Sequence, residues 1–139
     1  MRLSDLTIDV ARSDAGIWWN YQTRQPCAGN KPTDGAFCVR VRPLADQFHN
    51  AMRDAMAPFV LATRRGKADE GEARTAIAKV WANEVLIDWA GLDDVPFSQV
   101  QAVEFMADDR FRLIREFVEQ AARAEWAYLA DAEKEAQGN

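Results

Sequence analysis

Residues 77–98 read IAKVWANEVLIDWAGLDDVPFS, and the rest of the chain is organised around this stretch. Apolar residues recur through its first half at the mixed three- and four-residue spacing of a helix with a broad buried face: Ile77, Val80, Trp81, Val85, Leu86 and Trp89. Gly91 then breaks the pattern, because glycine readily takes the left-handed conformation that ends a helix, and Pro96 prevents an immediate restart. The stretch therefore predicts an elbow, in which a helix over residues 72–90 meets a second helix at a tight acidic corner.

The second helix of the elbow has a recognisable start. Ser98 and Gln101 have the spacing of a capping box, in which each side chain bonds to the other residue's backbone. We therefore expect a short helix over residues 98–108. The side chains expected to face inward are Val100, Val103 and either Phe105 or Met106.

A longer helix is expected to follow. Asp108 or Asp109 can cap it, because aspartate accepts a hydrogen bond from the free N–H groups of a first turn. Its apolar positions continue from Phe111 to Leu129 through one helical face. The sequence therefore predicts one uninterrupted C-terminal helix.

Upstream of the elbow, alternating apolar residues predict three strands. The alternation covers residues 6–10, 17–21 and 37–41, and it is the period of a strand with one buried face. On the second strand it places three side chains on one face: Ile17, Trp19 and Tyr21. Residues 24–35 contain two prolines and two glycines, which predict a long surface loop between the second and third strands.

The apolar period changes after the third strand. Four residues recur at every fourth position, as on one stripe of a helix: Leu44, Phe48, Met52 and Met56. Pro58 lacks the N–H that a helix interior needs, so this helix is expected to end near Ala57 or to kink there. Residues 63–71 mix charges with two glycines and are expected to form an exposed connection.

These elements predict an α+β fold within a single domain of residues 1–139. A small N-terminal antiparallel β-meander of about three strands occupies residues 1–43, and a predominantly helical region of about four helices follows over residues 44–133. The last part, residues 134–139, has no apolar face and is expected to fray.

Composition and charge indicate which partners and which compartment to expect for this protein. The 17 basic and 22 acidic residues give a net charge of −5, and such a surface repels phosphate backbones, so a nucleic-acid partner is disfavoured. No apolar run reaches the length of a membrane span, and the N-terminus lacks the apolar core of a signal peptide, so a cytoplasmic protein without a membrane partner is expected. In that reducing compartment Cys27 and Cys38 are expected to be free thiols.

The residues that could carry chemistry do not form a known pattern. His49 is the single histidine, and no serine or cysteine stands at an informative spacing from it. Several acids near the elbow invite a metal-binding interpretation, but they lack the alternating oxygen ligands of a calcium loop: Asp88, Asp93, Asp94 and Glu104. We therefore expect no enzymatic activity, no metal and no cofactor.

Two alternative binding surfaces arise from the residues alone. Trp18 and Trp19, beside Arg40 and Arg42, are the residue types on which single-stranded bases stack, although packing against helices explains them better in an acidic protein. Methionines such as those at positions 52 and 56 suit a groove that accepts varied helices, although they are ordinarily core residues.

The elbow and the helices after it resemble the tail assembly chaperones of long-tailed bacteriophages. The similar string is VLIDWAGLDDVPFSQVQAVEFMADDRFRLIREFVEQAA, over residues 85–122. The residues that match the family are Leu86, Asp88, Trp89, Gly91, Pro96 and Phe97, with Asn139 at the end. The N-terminal half is also similar, with Gly16 and Trp18 on an early strand, residues 39–42 on a later one, and Asn50 and Met52 on a helix.

This resemblance implies a chaperone that binds the tape-measure protein, keeps it soluble and assists assembly of the tail tube. It further implies self-association, contact with the major tail protein, action in the host cytoplasm and absence from the mature virion. On this interpretation the partner-binding residues are Trp81, Trp89, Leu92, Phe97 and Trp126. The alternatives are a tail completion or connector protein that stays in the particle, and a single-stranded nucleic-acid-binding module.

Overall fold

The computed structural model describes residues 1–66 and 69–130, and in this part of the chain a three-stranded sheet packs against helices. The strands are β1 (Ile17–Asn20), β2 (Cys38–Val41) and β3 (Leu86–Ala90). The α-helices are α1 (Val10–Ala15), α2 (Asp46–Arg64), α3 (Glu70–Glu84), α4 (Gln99–Ala107) and α5 (Arg112–Arg123). Short 3-10 turns cover Leu3–Leu6, Ala28–Asn30, Asp109–Phe111 and Glu125–Tyr128. The predicted α+β class with a three-stranded antiparallel sheet is confirmed.

The sheet has the order β1-β2-β3, and both pairings are antiparallel. Trp19 lies opposite Val39, which in turn lies opposite Trp89. All three side chains are buried in the main core, because alternate residues of a strand point to the same face. Ile17 and Tyr21 pack in the same core, so the predicted common face of the second strand is confirmed.

The third strand of the sheet is not the one that the sequence predicted. Residues 86–90 were expected to continue a helix, yet α3 ends at Glu84 and Leu86–Ala90 pairs with β2. The reason is a local ambiguity, since Val85, Leu86 and Ile87 favour strands as well as a buried helical face. Pairing decides the outcome, because this segment satisfies the backbone groups on the second edge of β2.

The predicted first strand, over residues 6–10, is also wrong. Leu6 ends a 3-10 turn and Val10 begins α1, while only Ile8 makes a β-bridge, to Leu129. Asp9 accounts for the difference, because its Oδ1 accepts the Arg12 N–H at 3.1 Å and caps α1. As a result, Leu6 and Val10 are each 67% exposed.

Helix α2 does not end near Ala57, which was one of the two outcomes expected from Pro58. It continues through Pro58 to Arg64. Pro58 is exposed, so we attribute its tolerance to solvent, which can bond the carbonyl that loses its partner. The described residues of the predicted connection, 63–66 and 69–71, are exposed, although its two ends belong to α2 and α3.

The long C-terminal helix that the sequence predicted is interrupted. Helix α5 ends at Arg123, and the 3-10 turn Glu125–Tyr128 follows. The cause is a distant contact, because the Tyr128 side chain is fully buried and its hydroxyl donates to the carbonyl oxygen of Val41 at 3.0 Å. The predicted fraying of residues 134–139 lies outside the described residues.

Helix α4 has bounds close to the predicted ones, and its predicted inward positions are confirmed except for Val100, since Val103 also packs against the core. Ala102, Phe105 and Met106 are buried against the core, whereas Val100 is 80% exposed. The Ser98 side chain accepts the Gln101 N–H at 3.1 Å, which confirms the predicted cap. Val100 lies in the first turn of the helix and faces solvent, so its apolar character does not lead to burial.

Tyr128 gives the fold a testable dependence on pH. Burial raises the pKa of its phenol well above the ordinary value of 10.0. Above pH 10 the unfolded chain therefore loses this proton while the folded chain keeps it, and the free energy of unfolding falls by up to about 1.4 kcal/mol per pH unit.

Replacing Tyr128 with phenylalanine is expected to remove that alkaline loss. At pH 7 the variant should be less stable by about 1 kcal/mol, since the Val41 carbonyl loses its buried donor. Urea unfolding at pH 7 and at a series of values above pH 10 measures both effects. Parallel curves for the two proteins above pH 10 would contradict this role of Tyr128.

Candidate functional site

Trp89, at the centre of the elbow, is a core residue. Its side chain is 5% exposed, and its indole N–H donates to the carbonyl oxygen of Val95 at 2.8 Å. The rings of Phe97 and Phe105 each lie 4.8 Å from it, centroid to centroid. Trp89 therefore holds strand β3 to the start of α4, and in this conformation it cannot contact a partner.

The other predicted elbow contacts are also turned inward. Trp81 is 7% exposed, and its ring meets that of Phe48 edge to face at 5.0 Å. Leu92 and Phe97 are half-buried and pack against the main core. These residues close the core between the sheet and α3 and α4, and a partner-binding role for the elbow stays a prediction.

Trp126 is the one predicted contact residue with a largely accessible side chain. It is 53% exposed, and the edge of its ring meets buried Trp19 at a centroid distance of 5.7 Å. It lies in the 3-10 turn that interrupts the predicted long helix. The indole of Trp126 thus contacts the core through Trp19 while more than half of the residue is open to solvent.

An exposed apolar surface lies on the N-terminal segment next to this turn. Four of its residues are at least 41% exposed: Leu3, Leu6, Ile8 and Val10. These four residues and Trp126 are called the N-terminal surface below. Contiguous exposed apolar patches mark interaction sites, whereas scattered apolar side chains are ordinary. Within this set, Leu6 and Ile8 line the same groove.

Backbone hydrogen bonds hold the two parts of this surface together. The Asp9 N–H donates to the Tyr128 carbonyl oxygen at 3.0 Å, and the Ala130 N–H donates to the Thr7 carbonyl oxygen at 2.8 Å. The Arg12 Nε donates to the Ala127 carbonyl oxygen at 3.3 Å. None of the residues in the first 3-10 turn or in α1 is buried, so these polar contacts, rather than packing, position the segment.

A groove of about 720 Å³ opens beside the N-terminal surface. Its lining includes Leu6 and Ile8 from the N-terminal segment, Leu44 from the chain just before α2, and Tyr128 and Leu129 from the C-terminal segment. This volume is within the range of typical ligand pockets, and its lining combines apolar side chains with a few polar groups. The groove and the N-terminal surface share Leu6 and Ile8, so one partner could contact both.

Charged groups of both signs stand around the groove. Asp5 and Glu125 are acidic, whereas Arg123 and the exposed His49 are the basic or titratable groups. Asp5 also accepts the Arg2 N–H at 2.8 Å. A partner would therefore need an apolar stripe flanked by charges of both signs.

Two of the four acids near the elbow, Asp88 and Glu104, have structural partners. Asp88 accepts the N–H of Trp89 at 2.8 Å, and Glu104 pairs with Arg110 at 3.1 Å. Arg110 also lowers the pKa of Asp108 through a side-chain hydrogen bond. Within residues 1–66 and 69–130, no three histidine, cysteine or acidic side chains are grouped as metal ligands.

The residues considered for base stacking are not accessible. Trp18 is 8% exposed and Trp19 is 3% exposed. Arg42 donates from Nε to the Asp14 carbonyl oxygen, so its position is fixed by the end of α1. A single-stranded nucleic acid could not stack on either tryptophan in this conformation.

Sequence reasoning missed the N-terminal surface for an identifiable reason. The alternation of Leu6, Ile8 and Val10 was interpreted as a half-buried strand, which made these side chains core residues. The available signal was Asp9, a strong helix cap inside the proposed strand. A cap at this position favours a turn and a helix, which leave the flanking apolar side chains in solvent.

In the described part of the chain, no helix has both the length and the apolar character needed to cross a bilayer. Comparison of the chain with protein families, with curated sequences and with solved structures found no match.

Proposed function

We propose that this chain is a tail assembly chaperone of a long-tailed bacteriophage, which binds the tape-measure protein, keeps it soluble and assists assembly of the tail tube. The resemblance of residues 85–122 to that family motivates the proposal. The single structural observation that supports it is the N-terminal surface, because a chaperone for an aggregation-prone helical client needs accessible apolar side chains.

The surface has the physical properties that this role requires. Leu3, Leu6 and Val10 are at least 67% exposed, so they can contact an apolar helix stripe without prior unfolding. Each such contact is weak, but a long client offers many repeated sites, and several bound copies would together cover it. The net charge of −5 would keep the coated client in solution.

The proposal places the chain in the host cytoplasm, self-associating on its client and absent from the mature particle. Contact with the major tail protein would be limited to assembly. Mass spectrometry of purified particles separates this role from that of a tail completion or connector protein, because only the latter would be retained in stoichiometric amount. If this chain is the chaperone, the gene that encodes it is expected between the genes for the major tail protein and the tape-measure protein.

Co-expression tests the proposed function. The tape-measure protein from the same genome is produced in bacteria with and without this chain, and the soluble fraction is measured after centrifugation. The client should be mostly soluble with the chain and mostly insoluble without it, because its apolar stripes would be covered. Equal insolubility in both cultures would refute the proposal.

A further inference from the structure

Two buried cysteines lie side by side on the second face of the sheet. The Sγ atoms of Cys27 and Cys38 are 3.6 Å apart, and both cysteines are free. Together with Trp18 they form a small apolar cluster, separate from the main core. Strand alternation explains the separation, since Trp18 and Cys38 point away from the face that carries Trp19 and Val39.

The backbone fixes both cysteines in place. Cys38 lies on β2, between its register partners Asn20 and Ala90. The Cys27 N–H donates to the Trp18 carbonyl oxygen at 2.7 Å, which attaches the loop to the outer edge of β1. The proximity of the two sulfur atoms is therefore a property of the folded sheet and loop.

Asn30 strengthens this attachment further along the loop. Its Oδ1 accepts the Trp18 N–H at 2.9 Å, and its Nδ2 donates to the Gly16 carbonyl oxygen at 3.2 Å. The Asn20 N–H donates to the Gln25 carbonyl oxygen at 2.9 Å, so the loop has contacts to the sheet on both sides of Cys27. Closing the two sulfurs to the bonding distance of about 2.0 Å needs a shift of only about 1.6 Å.

We propose that Cys27 and Cys38 are a redox modification site, a dithiol that closes reversibly into an intrachain disulfide and fastens the loop over residues 24–35 to β2. The oxidant is a small disulfide of the glutathione type. This inference stands on the second face of the sheet and does not depend on the proposed chaperone function.

The reaction proceeds by two exchanges. The Cys27 thiolate attacks one sulfur of oxidised glutathione, forming a mixed disulfide and releasing one glutathione thiolate. The Cys38 thiolate then attacks Cys27 Sγ, forming the protein disulfide and releasing the second glutathione thiolate. The two protons lost by the cysteines end on the two released thiolates, and the protein loses two electrons to the glutathione disulfide.

The structure sets the order and the pace of these steps. Cys27 is 6% exposed and Cys38 is fully buried, so the first attack falls to Cys27. Burial raises the pKa of the Cys27 thiol, which keeps it mostly protonated at neutral pH. The first exchange should therefore be slow at pH 7 and faster as the pH rises, because the thiolate fraction increases.

Incubation of the full chain in glutathione buffers tests the site. Samples are quenched with acid, unfolded, alkylated and analysed by intact mass. The expected product of the native protein carries neither alkyl groups nor glutathione and regains two alkylation sites after reduction with dithiothreitol. Cys38→Ala should stop at a glutathione adduct on Cys27, whereas Cys27→Ala should stay unmodified, because its remaining thiol is fully buried.

A second measurement shows whether the bond forms in the folded protein. The oxidised chain should melt on the order of 5 °C or more above the reduced chain, since the crosslink restricts the unfolded state. Trp18 fluorescence should be quenched on oxidation, and Trp18→Phe should lose that change. Disulfide formation only in denaturant, a glutathione adduct that persists in the unmodified chain, or crosslinked dimers alone would overturn the proposal.

Discussion

Replacing Gly91 with alanine is expected to destabilise the protein by at least about 4 kcal/mol, which is a large fraction of the stability of a domain this size. A Cβ added at Gly91 would lie 2.0 Å from the carbonyl oxygen of Ala36 and 2.9 Å from the Cα of Phe37. Both are backbone atoms at the entrance to β2, so no side-chain rotation can relieve the clash. The strands β2 and β3 would have to separate where Cys38 pairs with Ala90.

A matched glycine distinguishes this clash from simple backbone strain. Gly91 has φ +88° and Gly35 has φ +75°, so alanine is strained at both, but a Cβ at Gly35 would meet no atom within 4 Å. Gly35→Ala should therefore lose only about 1–2 kcal/mol. Guanidinium unfolding of the two variants provides the comparison. Similar losses of unfolding free energy in both would show that the close approach of Gly91 to Ala36 does not limit stability.

Replacing Trp89 with alanine is expected to cost about 3–5 kcal/mol, as is usual for a large aromatic residue lost from a core. The variant loses the ring contacts to Phe97 and Phe105 and leaves the carbonyl oxygen of Val95 without its indole donor. The corner between β3 and α4 depends on these contacts. The midpoint of cooperative unfolding should therefore move to a clearly lower denaturant concentration.

Trp126 is the matched control for Trp89. It is the same residue type, but it is 53% exposed and its ring meets that of Trp19 in a T-shaped arrangement. Trp126→Ala should therefore lose no more than about 1 kcal/mol. Equal losses of unfolding free energy for the two variants would contradict the conclusion that Trp89 is a core residue and Trp126 a surface residue.

The sequence predicted those elements whose signals are local. Ser98 caps α4 because the bond to the Gln101 N–H spans three residues, and β1 and β2 show their alternation within four residues each. The elements it predicted wrongly depend on distant partners. Strand β3 needs β2 to distinguish it from a helix, and the break after α5 needs the Tyr128 contact to Val41, 87 residues away.

The candidate site was harder to predict for a related reason. A tryptophan at helical spacing is compatible with a core or with a binding surface, and the sequence does not show which helix or strand covers it. Trp81 and Trp89 are covered, whereas Trp126 is not, because the chain turns at Ala124 before it. The exposed side chains of the N-terminal segment follow from the Asp9 cap, whose effect outweighs the alternating pattern.

The most direct test of the central claim, that the N-terminal surface shields apolar segments of the client, is the soluble fraction of the tape-measure protein co-expressed with surface variants. Leu6→Asp places a charge where 67% of the side chain is exposed, and Val100→Asp does the same at an 80% exposed site far along the chain, on α4. Both variants should fold, since neither side chain is buried. The client should become mostly insoluble with Leu6→Asp and stay soluble with Val100→Asp. Full solubility of the client with folded Leu6→Asp would contradict a role of the N-terminal surface in binding it.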